Sequence, residues 1–141
     1  MTVVVRGVGT GAFPTEVEAG RHKLLADEPI EDGGEDTGPS PYELLLAALG
    51  SCTVMTLRLY AARQGWPLDG VTVVLSHDRI YAEDCADCET GEGRLDRISR
   101  EITIDGDLTA EQRARLMRIA ERCPIHRTLN SEIVIETRER A

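Results

Sequence analysis

The sequence predicts an α+β fold, and three observations carry that expectation. Residues 38–65, GPSPYELLLAALGSCTVMTLRLYAARQG, form the most apolar stretch and carry helix start and stop signals at their two ends. Short segments with alternating apolar and polar residues lie on both sides of it. A second, amphipathic helical pattern stands alone late in the chain, at Thr109–Arg122. The resulting order is strands, buried helix, strands, surface helix, strand, and interleaving without a regular βαβ alternation is the α+β pattern. No repeat of 20 to 50 residues appears. At 141 residues the chain suits a single domain, 1–141, and its hydrophobic content of 41% is enough for a core. With only 4% aromatics, aliphatic side chains must fill that core.

Each element has a local reason. Val3–Arg6 reads as a strand, and Gly7, Gly9 and Gly11 then mark a turn. Glu16–Ala26 carries Val17, Ala19, Leu24 and Leu25 among polar residues, and fits either two short strands or one bent ribbon. PIEDGGEDTG, residues 29–38, is an acidic, Gly-rich loop. The helix then opens with Ser40 as N-cap, Pro41 at the first helical position and Glu43 at capping-box spacing. Leu44–Leu49 is apolar on all sides, which predicts burial. Gly65 and Pro67 end the helix. Val71–Tyr81 and Ile98–Asp105 read as partner strands, with Val71, Val73 and Leu75 on one face of the first and Ile98, Ile102 and Ile104 apolar on the second. Thr109 and Gln112 predict a second capping box, before an apolar stripe of Leu116, Ile119, Ala120 and Cys123. Glu132–Thr137, with Ile133 and Ile135 alternating, reads as a final strand.

The charge balance narrows the function. Asp and Glu number 25 against 16 Lys and Arg, a net charge of −9, so a nucleic-acid surface of clustered cations is not expected. The same charge repels anionic membrane surfaces. The uncharged run Leu44–Leu57 falls short of the roughly 20 apolar residues of a membrane span. The N-terminus, MTVVVRGVGTG, lacks the apolar core of a signal peptide, so the expected location is cytoplasmic. Four cysteines in such a chain read as reactive thiols, metal ligands or buried small apolar residues.

Taken alone, Cys52 reads as packing, since free cysteine is among the most buried residue types. Cys123 has a more distinctive setting. It ends one helix and precedes Pro124, which can open a new helical turn, so the thiol falls near a helix N-terminus where a thiolate is favoured. Arg122, His126 and Arg127 add positive charge nearby.

SPYELLLAALGSCTVMTL followed by ERCPIHRTL resembles the OsmC/Ohr family of organic hydroperoxide reductases, and GPSPYELLLAALGSC with DCADCE is most similar to its OsmC-like branch. The resemblance covers essentially the whole chain. It implies an intertwined homodimer of strongly curved antiparallel sheets around long central helices, with sites at the subunit interface. It implies Cys52 as the peroxidatic cysteine and Cys123 as the resolving one. Cys52 would become a sulfenic acid, Cys123 would condense with it to a disulfide, and a dithiol of the lipoyl type would reduce that disulfide. No metal or organic cofactor is implied.

In the family an Arg held by a Glu stabilises the thiolate. Here Tyr42 falls where that Glu usually stands, with Glu43 one residue later. In a straight helix Glu43 and Cys52 would lie about 13 Å apart on opposite faces. Glu43 is therefore a catalytic candidate and a capping-box residue at once. Arg21, in GRHKL, is the candidate Arg, with Arg6 as the other possibility.

Cys85 and Cys88 form a C-x-x-C between two strands. It reads as half a zinc site, completed by His77 or by the same pair in a second subunit, as a second redox pair, or as two exposed thiols. The surrounding Glu83, Asp84, Asp87 and Glu89 would raise the thiol pKa values. The leading expectation is a thiol-dependent peroxidase for organic hydroperoxides, with Leu44–Leu49, Val54, Met55 and Leu57 lining an apolar pocket. The alternative is a non-enzymatic dimeric module that binds a small apolar ligand, with or without zinc at Cys85 and Cys88.

Overall fold

The computed structural model describes residues 1–140. The chain forms two compact units, Met1–Ala47 and Ala48–Ala141, and the division falls within the long helix.

The first unit is a three-stranded antiparallel sheet in the order β1-β2-β3, with β1 at Val3–Gly7, β2 at Thr15–Ala19 and β3 at His22–Ala26. Glu16–Ala26 is thus two strands and not one bent ribbon. Ala19 pairs with His22, which leaves Gly20 and Arg21 as a two-residue turn, and Gly20 takes φ +63°, the left-handed geometry such hairpins need. The acidic loop that follows is organised by buried Asp27. One carboxylate oxygen accepts the Glu28 N–H at 2.8 Å. The other accepts the Thr37 hydroxyl at 2.7 Å and the Glu35 and Thr37 N–H groups at 3.2 Å each. A stretch that reads as merely polar is therefore a folded loop around one carboxylate. Helix α1, Pro41–Gln64, starts as expected: Ser40 N–H donates to Glu43 Oε1 at 3.0 Å, and Glu43 N–H donates to Ser40 Oγ at 3.3 Å.

The second unit is built from the rest of α1, two long strands and two helices. β4, Leu68–Tyr81, pairs antiparallel with β5, Arg94–Gly106, from Leu68–Gly106 out to Tyr81–Arg94. Both strands are longer than the apolar alternation alone indicates: β4 begins at Leu68, and β5 begins at Arg94, where cross-strand charges pair its first residues with the end of β4. His77 Nε2 lies 2.8 Å from Asp96 Oδ1, Arg79 donates to the same carboxylate at 3.3 Å, and Arg97 grips Asp78 with two N–H groups. Helix α2, Ala110–Ala120, carries the predicted Thr109–Gln112 capping box. Arg113 ties it to the end of β5 through the carbonyls of Ile104 and Gly106, at 2.6 and 2.8 Å.

The core of this unit joins Leu57 and Ala61 of α1 to Leu116, Ile119 and Ala120 of α2, with Val71, Ile102 and Ile104 packed against them. On α1 the buried positions are Leu49, Gly50, Thr53, Leu57 and Ala61, a stripe spaced by four with Gly50 beside it. This corrects the expectation of burial on all sides for Leu44–Leu49: Leu45, Ala47 and Ala48 are exposed, because a single chain supplies a partner for one face only. By length and composition α1 is also apolar enough to cross a membrane, a property that core helices share.

The predicted last strand, Glu132–Thr137, is absent. Residues 132–140 have no regular secondary structure, and Ile133, Val134 and Ile135 are exposed. A strand needs a neighbour to satisfy its backbone, and among the described residues the only pairings are β1–β2, β2–β3 and β4–β5.

Candidate active site

The site forms where α1, β5 and the α2–α3 junction meet. Cys123 is the N-cap of α3, Pro124–Leu129, and Pro124 occupies its first turn. The Cys123 sulfur does what a Ser or Asp cap does: it accepts the His126 N–H, at 3.3 Å. The thiol is fully buried. Cys52 is half-buried, and its side chain, 71 positions earlier in the chain, is among the groups that lower the Cys123 pKa.

Thr53, the residue after Cys52, turns inward from α1 and is fully buried. Its hydroxyl donates to the Leu49 carbonyl at 2.7 Å and lies 3.9 Å from the Cys123 sulfur. Arg100 of β5 reaches the same place. Nη1 donates to Thr53 Oγ1 at 2.9 Å and to the Ala120 carbonyl at 3.3 Å, and Nη2 donates to His126 Nδ1 at 2.9 Å. No carboxylate forms an ion pair with Arg100 among the described residues. Its charge therefore faces neutral acceptors and the buried thiol.

These contacts set the ionisation of Cys123. Burial pushes the thiol pKa up, but the His126 N–H, the Cys52 and Thr53 side chains and the Arg100 charge together bring it below the ordinary value. Beside the cysteines, α1 presents Ala48, Ser51, Cys52, Met55, Thr56 and Leu59 to a groove of about 450 Å³, closed on the other side by Pro124 and Ile125 of α3. Of the expected lining, Ala48 and Met55 are there, while the rest of Leu44–Leu49, Val54 and Leu57 are not. Leu57 lies on the Thr53–Ala61 face and belongs to the core, whereas Cys52, Met55, Thr56 and Leu59 share the opposite face at helical spacing.

Glu43 is in the first unit, where the Ser40 backbone N–H and then its hydroxyl hold the carboxyl below the ordinary range. Arg21 is exposed in the β2–β3 turn, and Arg6 is paired with Glu16 and Glu18 at 3.7 and 3.3 Å. Cys85 and Cys88 are joined in a disulfide with Cα atoms 5.6 Å apart, and His77, the other suggested zinc ligand, bonds to Asp96. No cluster of three or more metal-ligating side chains occurs among the described residues.

Sequence reasoning missed Arg100 and Thr53, yet each carries a signal. Arg100 is in phase with Ile98, Ile102 and Ile104, so the alternation of β5 sends a guanidinium to the apolar face. Thr53 interrupts the Leu49–Leu57–Ala61 stripe with a hydroxyl. A charge or hydroxyl at an inward position requires a polar partner, and here the two residues are partners of each other.

This fold belongs to a known class. The profile of the OsmC-like protein family matches residues 33–138, and the chain is a member of that family. An uncharacterised protein of Haloferax volcanii is 26% identical over 103 residues, covering 72% of this chain and 71% of its own. The fold is that of an OsmC-like protein of Mycoplasma pneumoniae, with a TM-score of 0.69 and 18% identity over 91% of this chain and 85% of the other. It is also that of the organic hydroperoxide resistance protein OsmC of Legionella pneumophila (TM-score 0.63, 24% identity, 92% and 90% covered). A third example is the organic hydroperoxide resistance protein OhrB of Bacillus subtilis (TM-score 0.62, 20% identity, 92% and 91% covered).

Proposed function

We propose that the protein is a thiol-dependent peroxidase that reduces organic hydroperoxides in the cytoplasm, and that residues 1–141 act as one OsmC-like domain. The observation that carries this is the half-buried Cys52 on an apolar groove whose other side, Pro124 and Ile125, directly follows the buried Cys123. Cys52 attacks the outer peroxide oxygen, an alcohol leaves, and Cys52 becomes a sulfenic acid. Cys123 attacks that sulfur, hydroxide leaves, and the Cys52–Cys123 disulfide forms. An external dithiol, of the lipoyl type by family resemblance, returns both cysteines to thiols by exchange. The apolar groove favours an alkyl hydroperoxide over hydrogen peroxide. A homodimer fits the same reading: Met55, Leu59, Val134 and Ile135 are large apolar side chains left exposed in the single chain.

A non-enzymatic module binding a small apolar ligand would use the same groove but has no need of the two free thiols, Cys52 and Cys123. The test is a thiol count after one equivalent of cumene hydroperoxide. The wild-type protein should lose two thiols, mapped by mass spectrometry to Cys52 and Cys123. Cys123→Ser should stop at the sulfenic acid. A Cys52→Ser protein that consumes hydroperoxide at the wild-type rate would exclude the mechanism.

A further inference from the structure

Resting on the peroxidase reading, we infer that Thr56 is a catalytic residue whose hydroxyl binds the leaving oxygen of an alkyl hydroperoxide while Cys52 attacks the outer one. Thr56 stands one helical turn after Cys52 in α1, and both line the groove. Residues so spaced are neighbours on one helix face, with Cβ atoms about 5–6 Å apart. Side chains on a helix lean toward its N-terminus, which tilts Thr56 back toward the thiol. A threonine in mid-helix commonly returns its hydroxyl to the carbonyl one turn earlier, as Thr53 does to Leu49 at 2.7 Å. Ser51, the other hydroxyl of the groove, is likewise committed, to the Ala48 carbonyl at 3.2 Å. Thr56 is not: among the described residues its hydroxyl has no protein partner. It is half-buried, yet no buried side-chain oxygen among the described residues lacks a partner, so this hydroxyl opens into the groove. The groove thus offers a peroxide one sulfur and one uncommitted donor, a turn apart, among apolar neighbours. In-line attack sets the outer oxygen about 3–3.5 Å from the sulfur and the leaving oxygen one bond further on, toward a donor placed this way. Negative charge develops on that leaving oxygen, and a donor aimed at it in apolar surroundings stabilises the transition state.

The step balances. The Cys52 thiolate gives an electron pair to the outer oxygen, the S–O bond forms and the O–O bond breaks. The outer oxygen keeps the hydrogen of the hydroperoxide, so Cys52 becomes a sulfenic acid: sulfur is oxidised and the peroxide reduced. The other electron pair leaves with the alkoxide, which departs hydrogen-bonded to Thr56. It takes a proton from solvent water, giving the alcohol and hydroxide, and Thr56 ends as it began.

The test compares two oxidants that differ in their leaving group. Cumene hydroperoxide expels an alkoxide, which needs a donor. Peracetic acid expels acetate, which does not. The rate of loss of the Cys52 thiol is followed by rapid mixing, quenching with an alkylating reagent and mass spectrometry. A hydrogen bond to a charged group is worth about 1.5–3 kcal/mol, so Thr56→Val should react with cumene hydroperoxide roughly ten- to a hundredfold more slowly than wild type. Its rate with peracetic acid should stay near the wild-type value. Thr56→Ser keeps the hydroxyl and should recover most of the cumene hydroperoxide rate. Thr56→Ala, which also lacks the hydroxyl, should follow Thr56→Val, with far-ultraviolet circular dichroism checking the fold of each variant.

A packing role for Thr56 would move both oxidants together, since it would act on the thiol and not on the leaving group. If Thr56→Val and Thr56→Ala slow both oxidants alike, or slow neither, the proposal is overturned. It is overturned also if Thr56→Ser is as slow as Thr56→Val. In each of these cases a wild-type Cys52 that reacts with cumene hydroperoxide leaves the peroxidase reading standing. If wild-type Cys52 survives cumene hydroperoxide, whether or not peracetic acid oxidises it, the peroxidase reading and the role of Thr56 fall together.

Discussion

Arg100 Nη2 lies 2.9 Å from His126 Nδ1. A guanidinium has no acceptor, so Nδ1 must be the accepting atom and the ring carries its proton on Nε2. Burial and the Arg100 charge both push the His126 pKa down, against a smaller opposing effect of Glu121. The histidine next to the buried cysteine is thus a neutral spacer between it and Arg100, and not a second cation.

The first prediction follows from that ring. Below the unfolded value of about 6.5 the unfolded chain takes up a proton that the folded chain refuses, so the unfolded state binds more protons. Stability is full above that value and falls as pH drops toward the lowered folded one. Nitrogen NMR at neutral pH should show the Nε2–H tautomer. The wild-type urea midpoint should fall between pH 6.5 and 5, roughly, by more than that of His126→Gln. Observation of an Nδ1–H ring would contradict the hydrogen bond to Arg100.

Two glycines should respond differently to alanine. A Cβ on Gly50 would lie 2.7 Å from Leu75 Cδ1, the movable end of a side chain. Alanine also favours an α-helix over glycine by about 1 kcal/mol, so Gly50→Ala should change stability by less than about 1 kcal/mol either way. A Cβ on Gly38 would lie 2.0 Å from the Leu25 carbonyl oxygen, which is backbone of β3 and moves only with the sheet. Gly38→Ala should cost about 1–3 kcal/mol or more. Denaturant midpoints for the pair check this, and equal losses would mean that the helix packs on β4 as rigidly as the loop packs on β3.

The sequence made the local structure legible wherever a local rule governs it. Both capping boxes, the bounds of α1 and the Cys123–Pro124 junction follow from residues within four positions of each other, and all are present. The same rules failed at Glu132–Thr137, where alternation signals a strand but cannot provide a neighbour for it. At the site, the cysteines were recognisable by motif, whereas their environment was not. Arg100 lies 47 positions from Thr53 and 26 from His126. Only the register of β5 brings the guanidinium inward, and only the packing of α1 and α2 supplies its acceptors.

Asp27 gives a prediction about acid. Burial raises its carboxyl pKa, but the Thr37 hydroxyl and the N–H groups of Glu28, Thr37 and Glu35 outweigh that and bring it below the ordinary value. The folded loop therefore binds fewer protons than the unfolded one. Its stabilisation is present above the unfolded pKa of about 3.9 and is lost as pH falls through the lower folded value. Amide exchange at Glu35 and Thr37, corrected for intrinsic rates, should show protection that disappears at that acid transition. Asp27→Asn should lose the protection at neutral pH as well. If protection at these amides is independent of pH and of Asp27→Asn, the carboxylate does not hold the loop.

Thr53 separates the structural from the chemical part of the contacts around Cys123. Thr53→Val keeps the shape but removes the hydroxyl, leaving Arg100 Nη1 with only the Ala120 carbonyl at 3.3 Å. Leaving a buried charged donor short of a partner costs about 1–3 kcal/mol. Thr53→Ser keeps the hydroxyl and loses a methyl group, about 1 kcal/mol of burial. Urea melts should therefore rank wild type above Thr53→Ser and Thr53→Val lowest. The Cys123 thiolate follows a different order, since it depends on the hydroxyl and on the Arg100 position but not on the methyl group. Thr53→Ser should titrate near wild type and Thr53→Val higher. If both variants shift the thiolate in proportion to their loss of stability, the hydroxyl acts through packing alone. If Thr53→Val shifts it and Thr53→Ser does not, the hydroxyl itself carries the influence of Arg100 to the sulfur.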